Sequence, residues 1–226
     1  METLKEQIEY YRSRAGEYDE WFYRKGRYDQ GEELNRRWFD EAAWCLDKLH
    51  SLGPVESALE LAAGTGIWTR ELSQMANHVT AIDASPEVLA INREKLGDPA
   101  DVEYRQADLF EWEPTDYYDL VSFTFWLSHV PPSHVEDFLS RVYRATRPGG
   151  RVWMVDSRRA STSTATNQSV KDEGILQRRI LNDGQTFEIV KVYYEPAQLV
   201  DLFTRAGFTV ETGETPNYFI YALAHR

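Results

Sequence analysis

The sequence predicts a doubly wound α/β fold built on a mostly parallel sheet. Three observations carry that expectation. From Ser57 onward, short apolar runs alternate with helix-spaced segments, the signature of βαβ units. The first run enters a turn of small residues, Ala62-Ala63-Gly64-Thr65-Gly66. Near the carboxyl end, two more β-rich runs flank a Gly/Pro turn and would finish the sheet.

The elements follow in order. Residues 3–24 read as a helix, and residues 30–52 as a second one. In the second, Leu34, Trp38, Ala42, Cys45, Leu46 and Leu49 recur at helical spacing before Gly53-Pro54 ends it. Strands are expected at 58–61, 79–83, 102–106, 120–125 and 152–156. Helices at 67–76, 86–96 and 133–146 lie between them, the second opened by the cap signal Ser85-Pro86-Glu87. The Ser- and Thr-rich stretch 158–170 reads as a mobile loop. Residues 175–194 form β-rich arms around Asn182-Asp183-Gly184, a tight-turn hairpin signal. A helix at 196–206 with Gly207 at its C-cap precedes strands at 208–212 and 218–224. No internal repeat is visible.

Composition narrows the function. Twenty-five Lys and Arg against 37 Asp and Glu give a net charge of −12, which disfavours nucleic acid as partner or substrate. The charged start METLKEQIEYY lacks the apolar core of a signal peptide, and no run approaches the roughly 20 apolar residues of a membrane span. A cytoplasmic protein without a membrane partner is expected. Cys45 is alone in the chain and reads as a buried thiol. His50, His78, His134 and His225 lack metal-ligand spacing and read as surface residues, so no metal is expected.

The run 58–69, ALELAAGTGIWT, is a buried strand entering a turn that opens a helix. Gly64 and Gly66 carry no Cβ to keep a ligand from the backbone N–H groups. By itself the turn serves equally to hold a dinucleotide or to make a tight connection. Asp83, in VTAIDASPEVL, ends the second strand where a carboxylate can accept both hydroxyls of a ribose. Asp108 follows the third strand, where a second acid can bond an adenine amine. Three such features on successive strands are hard to obtain by chance.

These segments, ELAAGTG, VTAIDASPEVL, QADLF and RATRPGGRVWMVD, resemble the class I S-adenosylmethionine-dependent methyltransferases over about residues 10–226. The resemblance implies a Rossmann-like, seven-stranded sheet with an antiparallel last strand, in a single domain spanning 1–226. Residues 1–52 would be amino-terminal cap helices and 157–194 an insertion with a hairpin on the substrate side. S-adenosylmethionine would be the cofactor and S-adenosylhomocysteine the product. Glu60 and the turn Ala62, Gly64, Thr65 and Gly66 would surround the methionine part, and Asp83 would grip the ribose. Asp108 with the Leu109 amide would read adenine, and Ala84 would pack on its face. The Phe125 carbonyl would accept from the cofactor amine, with Thr124 close by. Against a dehydrogenase, Thr69 stands at the third position of G-x-G-x-x-G.

The aromatic and charged stretch YYRSRAGEYDEWFYRKGRYDQG resembles a lid over the cofactor. Tyr11, Arg14 and Tyr18 recur at helical spacing and, with Trp38, are candidates for contact with the methionine carboxylate and sulfonium. The alternative is a packing helix with a polar rim. Methyl transfer is an in-line displacement in which positioning supplies much of the acceleration. A base is needed only when the acceptor carries a proton, and His129 in FTFWLSHVPP is the candidate, with Asp156 at the end of the fifth strand. Arg158 and Arg159 could bind an anionic substrate or face solvent. FTFW stands where methyltransferases of protein or DNA nitrogen carry an Asn-Pro-Pro-Tyr type tetrapeptide, so a small molecule is expected. The Tyr- and Trp-rich surroundings suggest an aromatic or heterocyclic metabolite accepting on O, N or S. A fold recruited to another reaction on the same cofactor, or a noncatalytic cofactor-binding protein, carries the same motifs. Oligomeric state is not legible.

Overall fold

The computed structural model describes residues 2–168 and 174–226. Its centre is a seven-stranded sheet made of β1 (Val55–Leu61), β2 (Ala76–Asp83), β3 (Val102–Gln106), β4 (Tyr118–Thr124), β5 (Thr146–Ser157), β8 (Thr209–Glu214) and β9 (Phe219–His225), in the order β3-β2-β1-β4-β5-β9-β8. The first five run parallel, and β9 runs antiparallel to both β5 and β8. Strand order reverses between β1 and β4, so a crevice opens at their carboxyl ends, where ligands bind in such sheets.

Both sheet faces are covered, which explains why the inner strands read as nearly continuous apolar runs, while the edge strands β3 and β8 stay polar. Ala58, Val79, Trp153 and Phe219 face a layer that includes α3 (Glu32–His50) and α4 (Ile67–Ser73). Leu59, Leu61, Val121, Phe123 and Met154 face α6 (Pro132–Ala145) and α7 (Pro196–Arg205). Cys45 lies in the first of these layers, and burial pushes its thiol up to about 12. The remaining sheet helix, α5 (Pro86–Leu96), starts on a Ser85 cap whose Oγ accepts from the Val88 N–H at 3.3 Å. On α3, buried Glu41 accepts from the Thr215 hydroxyl, the Asn217 N–H (3.1 Å) and side-chain amide (2.6 Å), and the Tyr218 N–H (2.8 Å), tying the helix to the β8–β9 turn. No described helix is long and apolar enough to cross a membrane.

The amino-terminal helix expected over 3–24 is broken. It becomes α1 (Glu2–Ser13), a 3-10 turn at Ala15–Glu17, and α2 (Tyr18–Phe22). Gly16 is the weak point of the pattern. The break lets α1 lie along β7 (Thr186–Val190), while Asp19 of α2 bonds the Thr65 hydroxyl and Lys95. The expected hairpin pairs β6 (Leu176–Ile180) with β7 around Gly184, whose φ is +90°.

The stretch expected as a mobile loop is fastened where it is described. The Trp21 indole donates to the Ser163 carbonyl (2.9 Å), Arg24 to that of Thr162 (2.6 Å) and the Gln30 amide to that of Thr164 (3.1 Å). Residues 169 and 170 lie outside the described residues. Its polar composition signalled a loop correctly, but the bonds that hold it come from 130 or more positions away and leave no local trace.

Candidate active site

The turn after β1 is left-handed at Ala62 (φ +57°), Gly64 (+54°) and Gly66 (+91°), and its two glycines differ in use. A Cβ on Gly64 would meet nothing nearer than Tyr18 Cε1, at 3.9 Å, so its freedom keeps the backbone bare toward a cavity. A Cβ on Gly66 would lie 2.6 Å from Asn92 Oδ1, so that glycine lets α4 pack against α5 and does not border the cavity. The Gly64 N–H donates to Asp83 Oδ2 and the Ser85 N–H to Oδ1, both at 2.9 Å. Burial holds the Asp83 carboxyl above its ordinary range, opposed by those N–H groups. Asp108 Oδ1 accepts from the Phe110 N–H at 2.9 Å.

Asp83 and Asp108 line the same cavity, together with Ala62, Gly64, Ala84, Leu109, Thr124 and Phe125. Gln7, Ile8, Tyr11 and Tyr18 from the amino-terminal segment close it over. Glu60 stands behind the turn, 1% exposed, with Oε2 accepting from the Thr69 hydroxyl and Oε1 without a partner among the described residues. Burial pushes its carboxyl up to about 8. Thr65 borders an adjoining cleft shared with Tyr18, Gly64 and Phe125. Phe125 itself is left-handed at φ +55°, an uncommon conformation for a residue with a side chain, and its N–H donates to the Val155 carbonyl at 2.7 Å.

Beyond Tyr11, Tyr18 and Phe125 lies a second cavity, which those three also border. Its cations are Arg14, Arg179 and Lys191, and no described carboxylate lines it. Arg14 is 9% exposed and packs on tyrosine rings, 5.0 Å from the centroid of Tyr18 and 5.6 Å from that of Tyr10. One of its amino groups reaches the Tyr28 hydroxyl at 3.4 Å, its Nε is buried without a partner, and it has no carboxylate within ion-pair distance among the described residues. His129, 7% exposed, lines the same cavity, with Nδ1 2.7 Å from the Val190 carbonyl. A carbonyl only accepts, so Nδ1 carries the proton and Nε2 the lone pair. Burial, then Lys191, hold His129 well below the ordinary histidine range, so the ring is neutral.

Several expectations change. Trp38 does not reach either cavity: it is fully buried, its indole donates to the Phe22 carbonyl at 3.0 Å, and it packs on Trp21, Tyr218 and Phe219. Helical spacing put it on the inward face of α3, and that face meets the sheet. Arg14 lines the second cavity instead of the first, because the chain breaks just after it. Arg158 is engaged with Glu214 (3.0 Å) and the carbonyls of Thr215 and Pro216, and Arg159 stacks on Tyr193, so the residues after β5 do not supply the cavity's cations. Arg179 and Lys191 of the hairpin segment do. Their available signal was a β-rich run in which Arg178, Arg179 and Lys191 outnumber the two acids, Asp183 and Glu188. Asp156 is 1% exposed and does not border the cavity, since both oxygens are taken by protein donors.

Comparison with known proteins agrees with this architecture. A family described as a methyltransferase domain matches residues 58–150. Two DhpI structures, one described as a complex with SAH and one as a complex with SAM and HEP, are each 37% identical to the chain. The first has a TM-score of 0.80 and covers 98% of this chain and 96% of its own; the second has 0.82, with 99% and 98%. The ubiquinone/menaquinone biosynthesis C-methyltransferase UbiE of Stutzerimonas stutzeri (strain A1501) is 28% identical over 170 residues, 66% of this chain and 64% of its own. The chain thus spans less than two thirds of that curated relative's length. With 37% identity to the DhpI structures over nearly the whole chain, the expected seven-stranded, mostly parallel sheet with an antiparallel last strand, and both acids on one cavity, the chain belongs to the class I S-adenosylmethionine-dependent methyltransferases.

Proposed function

We propose that the protein transfers a methyl group from S-adenosylmethionine, held in the first cavity, to a small anionic metabolite held in the second. The observation that carries the acceptor class is Arg14. A guanidinium this deeply buried with no carboxylate partner costs several kcal/mol of desolvation, which an anionic ligand in the cavity offsets. Arg179 and the absence of any described acid on the wall favour the same class. The tyrosines expected to accompany an aromatic acceptor instead stack on Arg14.

The first cavity suits the cofactor. Gly64 leaves the backbone open, Asp83 offers acceptors for a ribose diol, and Asp108 with the Leu109 N–H would meet adenine, with Ala84 against the base. Ala62 and Gly64 shape the methionine end, with Thr65 on the adjoining cleft and Gly66 and the unpartnered Glu60 oxygen behind them. When bound, S-adenosylmethionine supplies an electrophilic methyl carbon on a sulfonium. Tyr11, Tyr18 and Phe125 form the boundary between the cavities, where ring faces favour positive charge. The Phe125 carbonyl is the candidate acceptor for the cofactor amine. DhpI, described with SAM and HEP together, is a relative in which two ligands are present at once.

An oxyanion already carries the attacking electron pair, so this reading needs no proton removal. His129 then offers Nε2 as an acceptor to a hydroxyl or N–H elsewhere on the metabolite, since the oxyanion has no proton to donate. It serves as the base for an acceptor atom that carries a proton.

The test is methyl transfer from labelled S-adenosylmethionine to a panel of small carboxylates, phosphates and phosphonates beside their uncharged esters and amides, and neutral heterocycles. Label is expected on anionic members alone. Label confined to the neutral compounds defeats the acceptor class, and conversion without label transfer defeats the reaction.

A further inference from the structure

We propose that Asp156 is a positioning residue that acts through Lys191, and that Lys191 presents one directed N–H to the anionic acceptor. The inference rests on the second cavity being the acceptor site.

The Lys191 ammonium donates to the Ser128 hydroxyl at 2.7 Å and to Asp156 Oδ1 at 3.2 Å. Asp156 Oδ1 also accepts from the Ser157 N–H (2.7 Å) and Oδ2 from the Ser128 N–H (2.9 Å), so both carboxylate oxygens are engaged by protein donors. It cannot also take a proton from a ligand on the cavity side, because it does not border the cavity. Lys191 does border it, with its side chain 7% exposed. An ammonium has three N–H donors. Two are aimed at Ser128 and Asp156, and one remains for the cavity. The backbone supports the same arrangement, for the Val192 N–H donates to the Ser128 carbonyl at 2.7 Å and holds the segment beneath the ends of β4 and β5.

Because the pair is neutral overall, Lys191 adds direction more than net attraction. The net charge of the cavity comes from Arg14 and Arg179. Groups facing Lys191 are Asp156 from β5, His129 after β4, Arg14 after α1, Arg179 from β6 and the neighbouring Tyr193, with Tyr194 beside Asp156. Arginine and phenol side chains do not titrate between about pH 6 and 9, and His129 stays neutral there. Without the Asp156 charge, a buried ammonium surrounded by cations loses its proton more readily. The pH dependence of anion binding in that window therefore reports Lys191.

The probe is inorganic sulfate, whose charge is constant over the window, titrated calorimetrically into the full-length protein saturated with S-adenosylhomocysteine at pH 6, 7, 8 and 9. Wild type should bind sulfate equally across the range. D156N should bind sulfate at least as tightly as wild type at the lowest pH, where the cavity has gained net positive charge, and about tenfold more weakly at the highest pH than at the lowest. K191M should bind more weakly at every pH, and K191M/D156N no more weakly than K191M. Cofactor affinity, unchanged in all four proteins, shows that each variant is folded. A D156N defect that is independent of pH, or one that adds in full to that of K191M, overturns the inference while leaving the anionic acceptor intact. Absence of sulfate binding to wild type overturns both.

Discussion

The Arg14 guanidinium lies 5.0 Å from the ring centroid of Tyr18, so a residue that borders the first cavity also carries the cation of the second. Both come from the amino-terminal segment, and neither cavity is complete without it. In the proposed reading, cofactor and acceptor occupy the two cavities that share this aromatic boundary, and in-line transfer requires them to be aligned across it.

Arg14→Met should raise KM for an anionic acceptor by about 30-fold or more, since loss of one partner of a buried charge pair costs about 2–5 kcal/mol. The affinity for S-adenosylhomocysteine should change little. The thermal midpoint of the ligand-free variant should not fall, because a buried guanidinium lacking a counter-ion has been removed. Steady-state kinetics, calorimetry and thermal melts check the three parts, and a folded variant with unchanged KM contradicts the acceptor reading.

Glu60 gives a pH signature in stability. Its folded carboxyl is pushed up to about 8, above the ordinary glutamate value, so the unfolded chain ionises first as pH rises. Stability is then lost between the two values, by at most about 1.4 kcal/mol per pH unit. Glu60→Gln should gain on wild type in urea unfolding as pH rises from 5 to 8, with no such gain below pH 4. Parallel curves for the two proteins contradict the buried, unpaired acid.

His129 works in the opposite direction. Its folded value lies well below that of the unfolded chain, so acid protonates the unfolded state first and stability falls as pH drops below about 6.5. The loss is at most about 1.4 kcal/mol per pH unit and should be absent in His129→Asn. Urea midpoints at pH 7 and 5 decide it: equal losses in the two proteins contradict a neutral His129.

Glu41→Ala should cost about 2–4 kcal/mol, read as a lower urea midpoint, because it leaves the Asn217 and Tyr218 N–H groups and the Thr215 hydroxyl without their acceptor. Its distance from both cavities means that S-adenosylhomocysteine should still bind to the folded fraction with wild-type affinity.

The sheet and much of the cofactor cavity were legible because their determinants are local. Short apolar runs mark β1, β2, β4 and β5, Ser85-Pro86 caps α5, and the small-residue turn and the two acids each lie at or just past the end of a strand. In a parallel sheet the carboxyl ends lie on one edge, so residues read separately along the chain necessarily converge there. Asp83 and Asp108 are on one cavity for that reason.

Placement of the acceptor side was decided only by tertiary structure. The sequence by itself determined that Trp38 faces inward on its helix and that Asp156 ends β5, yet whether an inward face meets a ligand or the sheet depends on how α3 docks. Arg14 changed cavities because the helix breaks after Ser13, and Asp156 met Lys191 across 35 positions. Periodicity and turn chemistry act within one element, whereas a buried cation and its partners are assembled by the packing of segments far apart in the chain, and nothing in their local sequence records the meeting.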